Sequence, residues 1–523
     1  MGIETAISLL IVVFVVVGAV YDVELNHEGR VLHSRGYRWR RLQNWFPMGI
    51  AYAAFYMARY DVAAGNIQVV REQLQFSSSF MGWVMSAGSW SYAASAPFTG
   101  QITDRIGGRN GMIVACLGSA LCNLTLGVLF LSDLPLTQVK VLFVVLFAGN
   151  VLMQGFGTSA VVKINAAWYS PNERGVFAGV FNIMLTSGYY LSLGTGSSII
   201  SNMGWAYVFI IPGVALLTMS FAVLCWVKNS PRESTKMARI NQRGSVQTAA
   251  KAAEDAGLSP REQMRRLFQN RTFLGYLTAI FFLSWARDGF LNWFLSFFDA
   301  VRGQDNALTT ADTAIIGGAW TIGGFVGGIT CGWISDVLFK SDRVAPICIF
   351  SVFQAILLGV LYNFSASCPV EVLGVLVFLT SVFLLGNYTL LSYTVPSDLP
   401  QDIAAGASGI ITSVAYFATG LSGAAMGHLI EGGGYRLWVF SLMVASVFTG
   451  VFTACGAYFS KDTSGMMISE VTLEAELELD ETTPLSSRSL SKRRASIVRL
   501  STDFIASPML DLRSVRSRRS FEP

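Results

Sequence analysis

Long apolar runs broken by short polar loops set the pattern of the chain. On a window of ~19 residues the runs fall near 44–66, 78–100, 111–132, 139–162, 175–200, 205–227, 273–297, 311–334, 344–364, 369–393, 403–428 and 436–459. Each is long enough to cross ~30 Å of hydrocarbon as a helix, and the strict alternation of a barrel strand is absent. The pattern predicts an all-α polytopic membrane protein with twelve spans, two six-helix bundles separated by a long central loop. The expected divisions are an N-terminal apolar segment with a basic linker (1–43), a first bundle (44–228), a central loop (229–271), a second bundle (272–459) and a disordered tail (460–523).

The polar segments supply an orientation. Arg30, Arg35, Arg38, Arg40 and Arg41 precede the first span, and Lys228–Arg271 holds ten basic residues against four acidic ones. Arg105, Arg109, Arg174, Lys340 and Arg343 fall on the same side, so by the positive-inside rule that side is cytoplasmic and the C-terminus with it. The extra run from Thr5 to Tyr21 reads as a signal peptide, a thirteenth span or an interfacial segment. Glu4 in place of a basic flank and the poor cleavage-like Val17-Gly18-Ala19 favour an uncleaved helix. Beyond Ser460 an acidic stretch gives way to basic clusters, the composition of a disordered tail. Ser496 and Ser520 follow arginine pairs, a context that suits a basophilic kinase, although solvated Ser/Arg sequence carries the same residues.

Composition sharpens the membrane assignment. Hydrophobic residues make up 52% and charged residues 13% of the chain, with mean hydropathy +0.50, about half the charge of an ordinary soluble domain. A net charge of +4 without a basic patch interleaved with aromatics excludes nucleic acid as a partner. Seven scattered cysteines and three histidines provide neither a metal set nor a catalytic triad. No enzyme, metal or cofactor is expected; the partners expected are the lipid bilayer and a small solute.

Two features recur at nearly one spacing. Arg59 followed by Tyr60-Asp61 and Arg287 followed by Asp288-Gly289 lie 228 residues apart, and Asp104 and Asp336 lie 232 apart. Such duplication implies a pseudo-twofold carrier with its site between the halves. Gly100, Asp104, Arg105, Gly107 and Arg109, with Gly332, Asp336 and Arg343 in the second copy, form a loop motif in which glycine is expected to allow close helix packing. Its aspartate caps a helix or pairs across a seam that breaks as the halves rock. This loop is similar to the signature of the major facilitator superfamily.

An arginine inside a bilayer costs at least ~2.5 kcal/mol, so Arg59 and Arg287 need a function. One reading is a pair of converging forks that grips an anion. The other is structural pairing with Asp61 or Asp288; residues one or two apart do not share a helix face, so those pairs would draw on other helices. Tyr52 and Tyr56 share a stripe with Arg59, and Asn292 and Trp293 follow Arg287, as candidate hydrogen-bonding groups. Lys163 near the cytoplasmic end of the fourth span is a candidate for drawing anions in, or a snorkelling lysine. Asn182 in the fifth span orients substrate or bonds a neighbouring helix. Asp61 and Asp288 are candidate proton carriers.

At these residues the chain resembles the organophosphate:phosphate antiporter family, which includes glycerol-3-phosphate and hexose-phosphate transporters. The likeness rests on AYAAFYMAR ending at Arg59, on Arg287 through Trp293, on CGWISDVLFKSDR from Cys331 to Arg343, on Glu173-Arg174-Gly175 with Asn182, and on Ala404-Ala405-Gly406. It implies a phosphate gripped by Arg59 and Arg287 and exchange of an organic phosphate for inorganic phosphate by alternating access. Glycerol-3-phosphate carriers have a lysine in the second span and a histidine in the fifth where this chain has Ala96 and Leu185. Tyr60 and Thr321 replace two further charged positions, so the resemblance implies a less cationic cavity here. Two alternatives stand beside exchange: proton-coupled movement of a neutral or carboxylated solute, and a non-transporting nutrient sensor. The membrane expected is the plasma membrane or an organelle membrane.

Overall fold

A computed structural model describes residues 35–66, 71, 73–169, 184, 186–231, 265, 267–303, 307–339, 342–395 and 401–482. Among these there is no strand. The helices are α1 (Arg35–Ala64), α2 (Ser78–Ile106), α3 (Gly108–Leu131), α4 (Leu136–Trp168), α5 (Gly196–Met203, preceded by a π-helical turn at Tyr190–Gly194) and α6 (Tyr207–Trp226). They continue with α7 (Arg271–Leu291, extended beyond a break by Phe294–Arg302), α8 (Thr310–Trp333), α9 (Val344–Phe364) and α10 (Val370–Thr389). The last helical run, Gln401–Thr482, turns at Gly434, where φ is 66°, into α11 (401–433) and α12 (435–482).

Seven stretches among the described residues are long and apolar enough to span a membrane. Their outer faces carry large apolar side chains such as Leu121 and Phe221, each 68% exposed, as lipid requires. The strongly apolar set leaves out α1, α2, the short α5 and α7; α1 buries Asp61, and α7 buries Arg287 and Asp288. The apolar run at 5–21, the loop region from 232 to 264, Asn182, Ser496 and Ser520 lie outside the described residues. The last helical run is described as far as Thr482, and the rest of the predicted tail lies outside the described residues. Glu and Leu supply eight of the residues from Ser460 to Thr482 and favour helix, and Pro484 follows shortly after.

At the end of the molecule opposite Arg105 and Arg343, the two halves meet backbone to backbone. A Cβ on Gly317 of α8 would lie 2.6 Å from the Gly194 nitrogen, and one on Gly427 of α11 would lie 2.5 Å from the Ser78 carbonyl oxygen. Ser86 donates to the Gly420 carbonyl at 2.6 Å, Trp90 Nε1 to the Phe417 carbonyl at 3.3 Å, and Ser197 and Thr313 share a short hydroxyl contact. The side chains of Ser79 and His428 meet at 2.7 Å. The cross-half hydrogen bonds among the described residues lie at this sealed end and in the middle of the molecule.

At the basic end the packing differs from expectation. A Cβ on Gly100 would come no nearer than 3.9 Å to Ser159, and one on Gly332 would meet nothing within 4 Å. The tight helix packing predicted for these two glycines is therefore not seen. Gly107 has a backbone reason instead: with φ at 87° it links α2 to α3 and donates to the Thr103 carbonyl. Side chains other than glycine are disfavoured in that region.

Oxidation of a Ser197→Cys/Thr313→Cys double variant is expected to cross-link α5 to α8, detected by mass spectrometry of the joined peptides. Adding Gly317→Leu is expected to cut the yield severalfold; an unchanged yield would show that the glycine contact does not hold the seal.

Candidate functional site

The central site is built on a ladder of buried amides in α3 and α4. Ser119 and Asn123 lie one turn apart on α3, and Asn150 and Gln154 one turn apart on α4, inside otherwise apolar helices. Asn150 Oδ1 accepts from Asn123 at 2.8 Å and from Gln154 Nε2 at 3.0 Å, while Asn150 Nδ2 donates to the Ala58 carbonyl of α1 at 3.0 Å. These bonds fix Gln154, whose Oε1 accepts from Nε and Nη2 of Arg59 at 3.0 and 2.8 Å. Nη1 of Arg59 donates to the Tyr416 hydroxyl of α11 at 2.7 Å, across the two halves. The guanidinium lies over the Tyr92 ring, 4.7 Å from its centroid, and beside Tyr56 at 5.3 Å. Of its five N–H donors, three are thus engaged.

The second arginine is held differently. Arg287 Nη2 bonds Asp288 Oδ2 at 2.7 Å, and its guanidinium stacks 3.8 Å from the centroid of Tyr388. Pairing between sequence neighbours was argued against from helix faces, and the structure corrects that. A long arginine side chain can fold back along the helix, and this one does so within a turn of the break at Asn292–Trp293. Asp288 also accepts from Thr419 at 2.6 Å and from Tyr60 at 3.4 Å, so the carboxylate ties α7 to α11 and to α1. Nε of Arg287 remains without a partner among the described residues.

Between these groups lies a cavity of about 30 Å³ lined by Arg59, Tyr60, Asp288, Asn292, Tyr416 and Thr419, with apolar neighbours. In liquid water that volume is the share of one molecule. Arg59 and Asp288 face the space; Arg287 stands behind Asp288. The cavity thus presents a guanidinium with spare donors on one side and a carboxylate whose charge is already offset on the other.

The remaining candidates fall around this centre. Tyr52 bonds Thr158 at 2.7 Å, Tyr56 packs edge-on to Tyr189, and the Asn292 carbonyl accepts from Asn66 at 3.3 Å across the halves. Trp293 is fully buried with its indole nitrogen unpaired. Lys163 donates to the Thr103 carbonyl at the end of α2, away from the cavity lining. In the loop motif, Arg105 is exposed, the Arg109 guanidinium meets the Leu224 carbonyl, and Arg343 donates to Ser335 at 2.8 Å. The backbone of Asp104 is helical and that of Asp336 lies in a π-helical turn, Ile334–Leu338.

Sequence reasoning passed over Ser119, Asn123, Asn150, Gln154, Tyr388, Tyr416 and Thr419. The signal for the first four was present: amide and hydroxyl side chains at one-turn spacing within apolar spans, where each unpaired polar group is costly. The others act across the halves, which no local spacing encodes.

Comparison with known proteins decides the family. A Major Facilitator Superfamily model matches residues 48–424. The chain belongs to the major facilitator superfamily. Among relatives of this facilitator, the glycerol-3-phosphate transporter of Bacillus subtilis is 26% identical over 79% of this chain and 92% of its own length. The membrane sensor protein UhpC of Salmonella typhimurium is 24% identical over 76% of this chain and 86% of its own. The probable hexose phosphate transport protein of Chlamydia pneumoniae is 23% identical over 80% and 91%. The solved D-xylose-proton symporter matches in fold with a TM-score of 0.60 at 14% identity, covering 78% of this facilitator and 97% of the symporter.

Gln154→Leu removes the acceptor of two Arg59 donors, a loss of about 1.5–3 kcal/mol for bonds to a charged group, and is expected to lower the thermal unfolding midpoint. Gln154→Glu keeps the acceptor and adds a charge; it is expected to retain the fold while weakening anion binding. Equal loss of stability in both variants would show that the Nε2 donor to Asn150, not the acceptor for Arg59, carries the stability.

Proposed function

We propose that this protein is a secondary transporter that carries a phosphorylated small metabolite, or a related organic anion, by alternating access in exchange for inorganic phosphate. The observation that carries the reading is Arg59: a guanidinium within the membrane, pre-oriented by Gln154 and Tyr416, that lines a cavity between the halves. The bidentate geometry of arginine suits a phosphoryl or carboxylate group. The phosphate-carrying relatives support the same substrate class. The site performs no covalent chemistry in this account.

Anion binding does two things here. It satisfies the spare donors of Arg59, and it competes with Tyr416 for the Nη1 side of the fork, loosening one tie between the halves. Loaded and empty carriers therefore differ in the balance between their open and closed forms, the differential interaction that a conformational cycle requires. The basic end, with Arg105, Arg109 and Arg343, is the cytoplasmic one by the positive-inside rule. The sealed end is then the outer one, and the C-terminal tail with its candidate kinase sites lies in the cytoplasm.

A second reading has specific support. Asp288 offsets Arg287, which leaves one net positive charge at the cavity, enough for a carboxylate; a relative in Escherichia coli, the probable galactarate/D-glucarate transporter GarP, is 23% identical over 73% of this chain. The name of the UhpC relative keeps a sensor reading in view as well.

Counterflow in proteoliposomes separates these readings. With inorganic phosphate inside and labelled phosphate outside, wild type is expected to exchange label. Arg59→Lys is expected to lose at least tenfold, since a single ammonium cannot reproduce the planar fork, and Arg287→Lys to lose less. Absence of exchange by folded wild type would overturn the phosphate reading: uptake of a labelled sugar acid would then select the carboxylate carrier, and binding without uptake the sensor.

A further inference from the structure

A further arginine-centred cluster of polar groups stands at the sealed end, apart from the central site. The connection from α1 to α2 closes on itself where the Phe76 N–H donates to the Arg71 carbonyl at 2.9 Å, with Gln75 in the left-handed region at φ 54°. This turn fixes the stem of Arg71, which is partly buried. Its Nη1 donates to the hydroxyl of Ser78, the first residue of α2, at 2.9 Å and to the side-chain carbonyl of Asn66 at 3.4 Å. The phenol of Tyr435 in α12 bears on it from the other half. Every partner of this guanidinium among the described residues is neutral, and no carboxylate pairs with it there.

The cluster is joined to the central cavity. Asn66 is fully buried, and its Nδ2 donates to the backbone carbonyl of Asn292, a residue that lines the cavity. Asn66 lies seven residues beyond Arg59, just past the end of α1, a spacing that keeps two groups on one face of a helix. At 1.5 Å per residue the two stand about 10 Å apart along the helix axis. The stripe that carries Tyr52, Tyr56 and Arg59 thus continues to Asn66 and, through it, to Arg71. An anion that leaves Arg59 for the outer water meets Arg71 one step farther on.

The members divide between the halves in an ordered way. Asn66, Arg71 and Ser78 belong to the first half and are bonded to one another, whereas Tyr435 and the Asn292 carbonyl belong to the second. Tyr435 has a further bond within its own half, to the Ser296 hydroxyl at 2.7 Å. Glu431 of α11, a carboxylate at this seam, accepts from the Ser79 N–H at 2.8 Å and belongs to the second half as well. Alternating access requires this end to open. The second half then withdraws the phenol, the carbonyl and the carboxylate together, and the first half keeps an assembled set of donors: the guanidinium, the freed Nδ2 of Asn66 and the Ser78 hydroxyl. Lys140 of α4, 6.0 Å from the ring centroid of Phe76 in the same turn, adds positive charge to that face.

We propose that Arg71, Asn66 and Ser78 form an outer docking site for the transported oxyanion, covered while this end is sealed and uncovered when it opens, from which the anion passes to and from Arg59. The chemistry recognised is a phosphoryl or carboxylate group, which an arginine fork binds in concert with neutral donors. The inference rests on the carrier reading of the proposed function and adds a site to it. A purely structural role differs in sign. If Arg71 only fastened the seal, its loss would favour the outward-open form, raising the apparent affinity at the outer face and lowering it at the inner one. A docking site predicts weaker binding at the outer face alone.

The test is sided phosphate exchange by the full chain, carrying an epitope tag at its C-terminus, in vesicles that hold a single molecule. Antibody against the tag retains vesicles that present the cytoplasmic end outward and passes those that present the outer end. The half-saturating concentration of labelled inorganic phosphate is then read separately at each face, against excess phosphate inside. Arg71→Gln is expected to raise it about tenfold at the outer face, the loss of a charge-assisted hydrogen bond, and to leave it unchanged at the inner face, which also shows that the variant is folded. Arg71→Lys, which keeps the charge and loses the fork, is expected to raise it less. A lower value at the outer face would assign Arg71 to the seal, an equal rise at both faces would place its effect at the centre, and no change at either would remove it from the path; each would overturn the proposal. Wild type that exchanges no phosphate would overturn the proposed function and the outer phosphate site with it. Because the variant patterns are read only in a carrier that exchanges, the two failures are told apart.

Discussion

The structure turns on a guanidinium kept charged inside a membrane. Arg59 costs at least ~2.5 kcal/mol to place in a bilayer, and the fold offsets that cost through bonds that run from α3 through Asn150 and Gln154 to the arginine and on to Tyr416 of the other half. Asn150 also grips the α1 backbone at Ala58, one residue before the arginine. The same ladder therefore positions the helix and its charge together. Because Tyr416 belongs to α11, the orientation of the fork and the contact between the halves are one interaction.

The repeat is echoed in the second half but altered where it reaches the arginine. Ser351 stands 232 residues beyond Ser119, the spacing of the loop motifs, and Asn387 of α10 donates to it at 3.2 Å, as Asn150 of α4 is bonded to Ser119. One turn farther along, α4 has Gln154, whereas Leu391 stands in the π-helical turn Leu390–Thr394 that follows α10. Without an amide in that place, Arg287 takes the adjacent Asp288 and the ring of Tyr388. Two differences between the halves, Gln154 against Leu391 and Tyr60 against Asp288, thus separate the two arginines into one held by an amide and one neutralised by a neighbour. The cavity is less cationic than two free arginines would make it.

Much of the fold was legible in the sequence because lipid imposes a simple rule: spans must be long, apolar and helical. The twelve runs correspond to helical segments wherever the residues are described, and the two buried arginines stood out by their expense. The Arg287–Asp288 pair was misjudged because helix-face spacing describes Cβ directions and not the reach of a long side chain beside a helix break. Tyr416, Thr419 and Tyr388 were not legible because their roles arise only when distant spans are brought together. The open surroundings of Gly100 and Gly332 were not legible because a motif specifies residues and not what packs on them.

The central claim is that Arg59 carries the anion while Asp288 holds the charge of Arg287 in check. Titration of the purified protein with inorganic phosphate, wild type against Asp288→Asn, tests it most directly. Asparagine preserves shape and the acceptor for Thr419 while releasing the charge of Arg287, so the account predicts tighter phosphate binding in a folded variant. Unchanged or weaker binding by folded Asp288→Asn would contradict it, and would mean that the carboxylate supports the ligand site in place of restraining it.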